Sequence, residues 1–236
     1  MNISRTVILA IKKVVIFLGF PEDLCRIILF ELRLFIVRSL WAFIPKNCST
    51  LKRINEMTDV KINFGCGNMP FEGWINVDGI FNPKANLVID LRRRLPFQTG
   101  NVLYIFSEHC IEHFRYDEAM SFLSECFRVL KKGGRIRLIA PDLESMARAY
   151  VKRDERWFEK AFPYLDDPVD ALNLIFHQGG AHYYIYDSKA LQKILKKAGF
   201  KYVISSSFRG SACPELNMDC DDPLRTIKSV YVEAFK

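Results

Sequence analysis

The sequence predicts an α/β fold built on a mostly parallel sheet, and three observations carry that expectation. Val60 to Asp78, VKINFGCGNMPFEGWINVD, reads as a strand, a Gly65-Cys66-Gly67 turn and a second strand ending on a carboxylate. From residue 60 onward, short apolar runs of strand length alternate with helical or loop segments. The runs Trp74 to Val77 and Asn86 to Ile89 both end on an aspartate, Asp78 and Asp90. That places carboxylates at the edge where open α/β sheets take their ligands.

The glycine turn has a direct chemical reading. Two glycines one residue apart let the backbone bend sharply and leave no Cβ to hold a ligand off. The turn would lie against the tail of a nucleotide-like ligand, and Asp78 would accept hydrogen bonds from ribose hydroxyls. Asp78 follows Gly67 by only eleven residues. A parallel crossover usually takes a dozen or more. The first crossover is therefore expected to hold one helical turn at most, with little dipole to offer an anion.

The 236 residues suffice for one well-buried domain and an appendage. Net charge is +7, of which residues 1–59 carry +4, with nine Lys/Arg against five Asp/Glu. The remaining chain is too weakly basic for a nucleic-acid surface. Seven scattered cysteines without a CxxC pair read as reduced thiols in a cytosolic setting, with no metal site expected. Residues 1–45 are crowded with apolar side chains. Charges interrupt every run of about 18 residues, which argues against a spanning helix, and no signal-peptide cleavage site follows Val14–Phe20. Two amphipathic basic helices are expected, separated by Gly19 and Pro21. Arg5, Lys12 and Lys13 share a face of the first. Leu24, Ile28, Leu32, Phe35 and Ile36 share a face of the second, opposite Arg26 and Arg33. Such helices lie on anionic membrane surfaces or pack on the domain as extra core.

Residues 46–59 read as a polar linker, and residues 60–236 as the main domain. Its first three runs are those above, and the basic cluster Arg92-Arg93-Arg94 reads as a solvated loop. A fourth strand, Val102 to Phe106, leads into Ser107-Glu108-His109-Cys110-Ile111-Glu112-His113. Asp117 to Leu130 has helical periodicity and is stopped by Lys131-Lys132-Gly133-Gly134. Arg135 to Ala140 is a fifth strand. A helical insert, Leu143 to Ile175, precedes the turn His177-Gln-Gly-Gly-Ala-His182-Tyr183-Tyr184. Ser188 to Ala198 is a helix capped at Asp187 or Ser188 and stopped by Gly199. Phe200 to Ser206 and Ile227 to Ala234 are closing strands, joined by a loop over 208–226.

Taken together, NFGCGNMPFEGWINVD, VIDLRRRLPF, SEHCIEHF, FRVLKKGGRIRLIAPDLE, HYYIYDSKALQKILKKAGF and SVYVEAFK, in this order, resemble the class I S-adenosylmethionine-dependent methyltransferases, in their small bacterial branch. The resemblance covers about residues 60–236. It implies a Rossmann-like, seven-stranded, mostly parallel sheet with an antiparallel closing strand, beside the N-terminal helical appendage. It implies S-adenosyl-L-methionine as cofactor and methyl transfer as activity. On the family's pattern Gly65, Cys66 and Gly67 would meet the methionine part, and Asp78 the ribose. Asp90 and Leu91 would hold the adenine edge, and Ser107 and Glu108 the side near the sulfonium. Asn63 stands where the family often has an acid, and Val102-Leu103 where an Asp often opens the fourth strand.

The acceptor is expected to be a small molecule, a sugar or a lipid-linked compound, since the motif of base-methylating enzymes is absent at Ser107 to Cys110. A cytoplasmic enzyme, peripheral on the cytoplasmic face of an anionic membrane through residues 1–45, would suit a lipid-linked acceptor. Among the four histidines, at 109, 113, 177 and 182, His182 is the first expected base, because it edges a Gly-Gly turn, and His109 the second. Two alternatives compete. One is a non-catalytic partner protein on the same fold. The other is a zinc hydrolase using His109, Glu112 and His113, an H-x-x-E-H match that would set both histidines on one helix face.

Overall fold

The computed structural model describes residues 14, 17–40, 43, 45–79 and 82–236. The face formed by Arg5, Lys12 and Lys13 lies outside them. In chain order the elements are α1 (Glu22–Leu40), α2 (Pro45–Glu56), β1 (Val60–Phe64), β2 (Ile75–Asp78), β3 (Leu87–Val88) and β4 (Val102–Glu108). A single 3-10 turn, Ile111–His113, leads to α3 (Tyr116–Val129) and β5 (Leu130–Pro141). The insert holds α4 (Leu143–Val151), α5 (Glu155–Ala161) and α6 (Pro168–His177). Then come α7 (Ser188–Lys197), β6 (Tyr202–Ser206), α8 (Pro223–Thr226) and β7 (Ser229–Phe235).

Local chemistry accounts for the helix starts. Asp142, Asp154, Asp167, Asp187 and Asp222 cap α4 to α8, each carboxylate accepting a hydrogen bond from a backbone N–H of the first turn. In α3, Ala119, Phe122, Leu123, Cys126 and Val129 are buried at helical spacing. This helix ends differently from the expected glycine stop. Leu130 is already extended (φ −61°, ψ 138°), and residues 131–134 lie in β5.

The seven strands form one sheet in the order β3-β2-β1-β4-β5-β7-β6. Pairings from β3 across to β5 are parallel, and β7 runs antiparallel between β5 and β6. The chain winds outward from β1 to β3, then returns to β4 on the other side of β1. That reversal opens a crevice at the carboxyl ends of β1 and β4. No helix joins β1 to β2, only turns over residues 65–74. One face of the sheet packs under α3 and α7, with Phe64, Ile105, Phe122, Leu138, Leu191 and Leu195 in its core. On the other face Phe71, Trp74, Phe106, Ile139, Leu216 and Tyr231 form a smaller core under loops.

Arg137 of β5 holds those loops. It is fully buried; Nε and Nη2 donate to Asp219 at 2.7 and 2.5 Å, and Nη1 donates to Glu233 at 2.6 Å. Nη1 also reaches Ser206 Oγ, and Nη2 the carbonyl of Ser207.

The segment read as a linker is a helix. Along α2, Asn47 is fully buried and its side chain both donates to the Val88 carbonyl and accepts from the Val88 N–H, at 2.9 Å each. Thr50 Oγ1 donates to the carbonyl of Asn86. The polar residues that suggested a linker supply the hydrogen bonds that the edge strand β3 lacks on its outer side. Helix α1 buries Cys25, Leu29, Leu34 and Val37, the last against Cys66, Ala85 and Val88, and leaves Leu24, Ile28, Leu32 and Phe35 exposed. Among the described residues no helix is long and apolar enough to cross a membrane.

Candidate functional site

At the crevice the chain leaves β1 through Gly65 (φ 69°) and Gly67 (φ 47°), conformations that suit glycine. The turn is tied to β2: Gly65 and Cys66 donate their N–H groups to the Val77 carbonyl at 2.9 and 3.1 Å. Gly67 N–H donates to Asp78 Oδ2 at 3.1 Å, and Asn82 Nδ2 donates to the same oxygen. Asparagines stand in for the missing crossover helix. Asn63 donates to the Met69 carbonyl and to Asn76 Oδ1, while Asn76 holds both the N–H and the carbonyl of Phe71. Asn63 is thus part of the scaffold and is buried.

A cavity of about 530 Å³ opens against this turn. Gly65, Gly67, Asp78, Asp90 and Leu91 line it from the sheet side, and His109, Cys110 and His113 from the segment after β4. A Cβ added at Gly67 would meet only the Gly65 carbonyl at 3.9 Å, so the turn presents bare backbone. Bare backbone and a strand-end carboxylate in one cavity fit the adenosyl and methionine parts of the implied cofactor.

Cys66, Ser107 and Glu108 are placed away from the cavity, while Asp90 lines it with its oxygens already engaged. Cys66 is buried among Val37, Ala85 and Val88, off the cavity wall. Asp90 is largely engaged, since Oδ1 accepts from Arg92 N–H at 3.0 Å and from Arg92 Nε at 3.1 Å. Ser107 is buried beneath Cys110. Glu108 turns toward the 208–226 loop, where it accepts the Cys220 N–H at 3.1 Å and faces Arg225 at 3.8 Å. Burial raises the Glu108 carboxyl above its ordinary range.

The histidines need a correction. Gln178 and Gly179 to Tyr183 do border the cavity, but His182 does not. Gln178 adopts a left-handed conformation (φ 39°), and the His182 ring turns inward, with Nδ1 on the carbonyl of Ile175. Burial depresses its basicity. His109 does line the cavity, and both its nitrogens are engaged, Nε2 with Ser229 Oγ at 3.0 Å and Nδ1 facing Glu112 Oε1 at 3.2 Å. The H-x-x-E-H residues do not share a helix face. His109 has a positive φ of 49°, and the rest forms the single 3-10 turn. The His113 and His182 rings instead meet at a tilt of 59°, their centroids 5.0 Å apart.

The sequence reading missed the roof. Arg26, Ile27, Phe30, Arg33 and Leu34 of α1 cover the cavity opposite the glycine turn. Arg26 and Arg33, expected only as the face opposite the apolar stripe, line the crevice. Their position opposite the apolar stripe was the one signal available, and it has no motif attached.

Residues 78–138 match the family model described as "Methyltransferase domain". Among solved structures the fold is similar to a SAM-dependent methyltransferase from Archaeoglobus fulgidus (18% identity, 86% of this chain and 94% of that one, TM-score 0.46). A SAM-dependent methyltransferase from Aquifex aeolicus gives 13% identity over 79% and 87% of the two chains, with TM-score 0.41. Haemonchus contortus phosphoethanolamine N-methyltransferase 2, in complex with S-adenosyl-L-methionine, gives 14% over 86% of this chain and 59% of that one, with TM-score 0.43. No curated protein sequence matches.

Proposed function

We infer that this chain is a class I S-adenosylmethionine-dependent methyltransferase and that it methylates a small-molecule, sugar or lipid-linked acceptor inside the roofed crevice. The observation that carries the reading is the single cavity shared by Gly65, Gly67 and Asp78 on one wall and His109 on another, beneath α1 and the 178–183 loop. Bound S-adenosylmethionine supplies a methyl group on a sulfonium, open to in-line displacement. The glycine turn would leave room for the methionine part, and Asp78 would accept from the ribose hydroxyls. Helix α1 and the loop exclude water and hold the acceptor in line, which contributes several kcal/mol in well-aligned reactions. Transfer to a hydroxyl or amine would also require that the acceptor's proton pass to a basic side chain or to solvent at the crevice. His109 is the histidine we place beside the acceptor, in preference to His182.

The apolar face of α1, with Phe17 and Phe20 beside it, is exposed. It supports attachment to the cytoplasmic face of an anionic membrane, which would bring a lipid-linked acceptor to the crevice. Cosedimentation of the full chain with phosphatidylserine vesicles, lost on deletion of residues 1–45, tests this. Equal sedimentation of both chains would leave α1 as packing alone.

The main test is transfer of a labelled methyl group from S-adenosylmethionine to fractions of cell extract. Calorimetry of the cofactor accompanies it. Binding with transfer supports the reading, and absence of cofactor binding would favour a non-catalytic partner on this fold.

A further inference from the structure

Glu112 has no function in the reading above, yet it is the most confined carboxylate beside the cavity. It is 1% exposed, and neither of its oxygens has a hydrogen-bond partner among the described residues. His109 Nδ1 stands 3.2 Å from Oε1, close enough for an ion pair but without hydrogen-bond alignment. Burial disfavours its charged form, and His109 and His113 outweigh that and hold the carboxyl below its ordinary range, but its oxygens still lack aligned donors, which leaves room for a further ligand.

Two imidazoles stand beside it. Ligand atoms of Glu112, His113 and His182 all lie within 4.8 Å of one another. His113 Nδ1 is 2.9 Å from the Ala181 carbonyl, and His182 Nδ1 is bonded to the Ile175 carbonyl. A carbonyl only accepts, so both Nδ1 atoms carry the proton and both Nε2 atoms keep a lone pair. This is the orientation seen in metal-ligating histidines, whose second nitrogen donates to a backbone carbonyl or carboxylate. His109 would provide the outer partner of the carboxylate.

We propose that Glu112, His113 and His182 bind a zinc-class divalent cation at the cavity wall, two imidazoles and one carboxylate with a fourth position open. Two histidines and a glutamate are an established donor set for zinc. Metal–ligand bonds of about 2.1 Å would draw the donors together by roughly an ångström, within reach of side-chain rotation. The ion would clamp the 177–183 loop to the turn after β4. The backbone already joins them there, through Tyr183 and Tyr184 N–H groups on the Glu112 carbonyl at 2.9 and 3.3 Å. Through His113, which lines the cavity, it would form part of the wall against the acceptor.

The proposal does not depend on methyl transfer. The test is zinc titration of the chelator-stripped full chain against a chromophoric chelator, with metal content after dialysis. Wild type should hold one equivalent. His182→Ala, His113→Ala and Glu112→Gln should each weaken binding at least about tenfold. Circular dichroism checks folding, and the two histidine variants carry the test if Glu112→Gln does not fold. No retained zinc in wild type, or wild-type affinity in folded variants, would overturn the site. Cofactor calorimetry on the same samples reports separately on the methyltransferase reading.

Discussion

Arg92 and Glu31 join the sheet to the helix above it through a two-point contact, Nη1 to Oε1 at 2.7 Å and Nη2 to Oε2 at 3.0 Å. Arg92 also holds Asp90 on the cavity wall, so one guanidinium ties the roof to a cavity carboxylate. The Arg92 hydrogen bond dominates at Glu31, outweighs burial, and holds its carboxyl below the ordinary range. A carboxyl lowered in the folded state contributes stability above its unfolded pKa and loses it as pH falls through the folded value. Docking of α1 should therefore weaken under acid. Hydrogen exchange of α1 amides should speed up near pH 3 relative to pH 5, after correction for intrinsic rates. Arg92→Ala should speed it up at both. An α1 protected equally throughout would remove this pair as the tether.

Asp78→Ala should weaken S-adenosylmethionine binding by about 1–3 kcal/mol, a usual loss for hydrogen bonds to a charged group. Asp78→Asn, which keeps an acceptor for Gly67 N–H, should lose less. Calorimetry giving one affinity for all three proteins would take Asp78 out of the site.

Gly65→Ala should be destabilising through two causes. The residue sits at φ 69°, and its Cβ would stand 2.6 Å from Cys110 Sγ and 2.7 Å from Cys110 Cβ. Left-handed strain and overpacking together suggest about 2–4 kcal/mol in urea unfolding. Adding Cys110→Ala should recover only part of it, because the backbone strain and the Cβ contact remain. Full recovery would show that φ at residue 65 costs nothing.

Arg137→Met should cost about 3–5 kcal/mol, because it leaves Asp219 and Glu233 buried without their cation. The 208–226 loop should become the first site of proteolysis. An unchanged urea midpoint would show that the loop is held by its apolar contacts instead.

The sheet was legible because its strands are short apolar runs with sharp punctuation, such as Val60–Phe64 before Gly65. The cap at Asp187 was equally local. What failed was long-range. Asn47 looks like linker until its partner Val88, 41 residues away, is known. Arg26 and Arg33 read only as the face opposite the apolar stripe until α1 lies over the crevice. His182 sits beside a Gly-Gly turn that does reach the cavity, but ring direction depends on the left-handed Gln178 and on Ile175, neither readable as a motif. Ser107 and Glu108 occupy their expected strand end, yet strand alternation and the 208–226 loop turn them from the cavity.

The missing helix between β1 and β2 has a kinetic consequence. Ile62 pairs with Ile75 thirteen residues on, whereas Arg137 pairs with Glu233 at a separation of 96. Loop closure costs about 0.6 kcal/mol for each doubling of length, so the first pairing is favoured by roughly 2 kcal/mol in chain entropy. The β1–β2 half should condense early, and the β7 insertion that desolvates Arg137 should come last. On this hypothesis Ile75→Val slows folding while Val232→Ala chiefly speeds unfolding. The reverse pattern in stopped-flow kinetics would place the nucleus at β5 and β7.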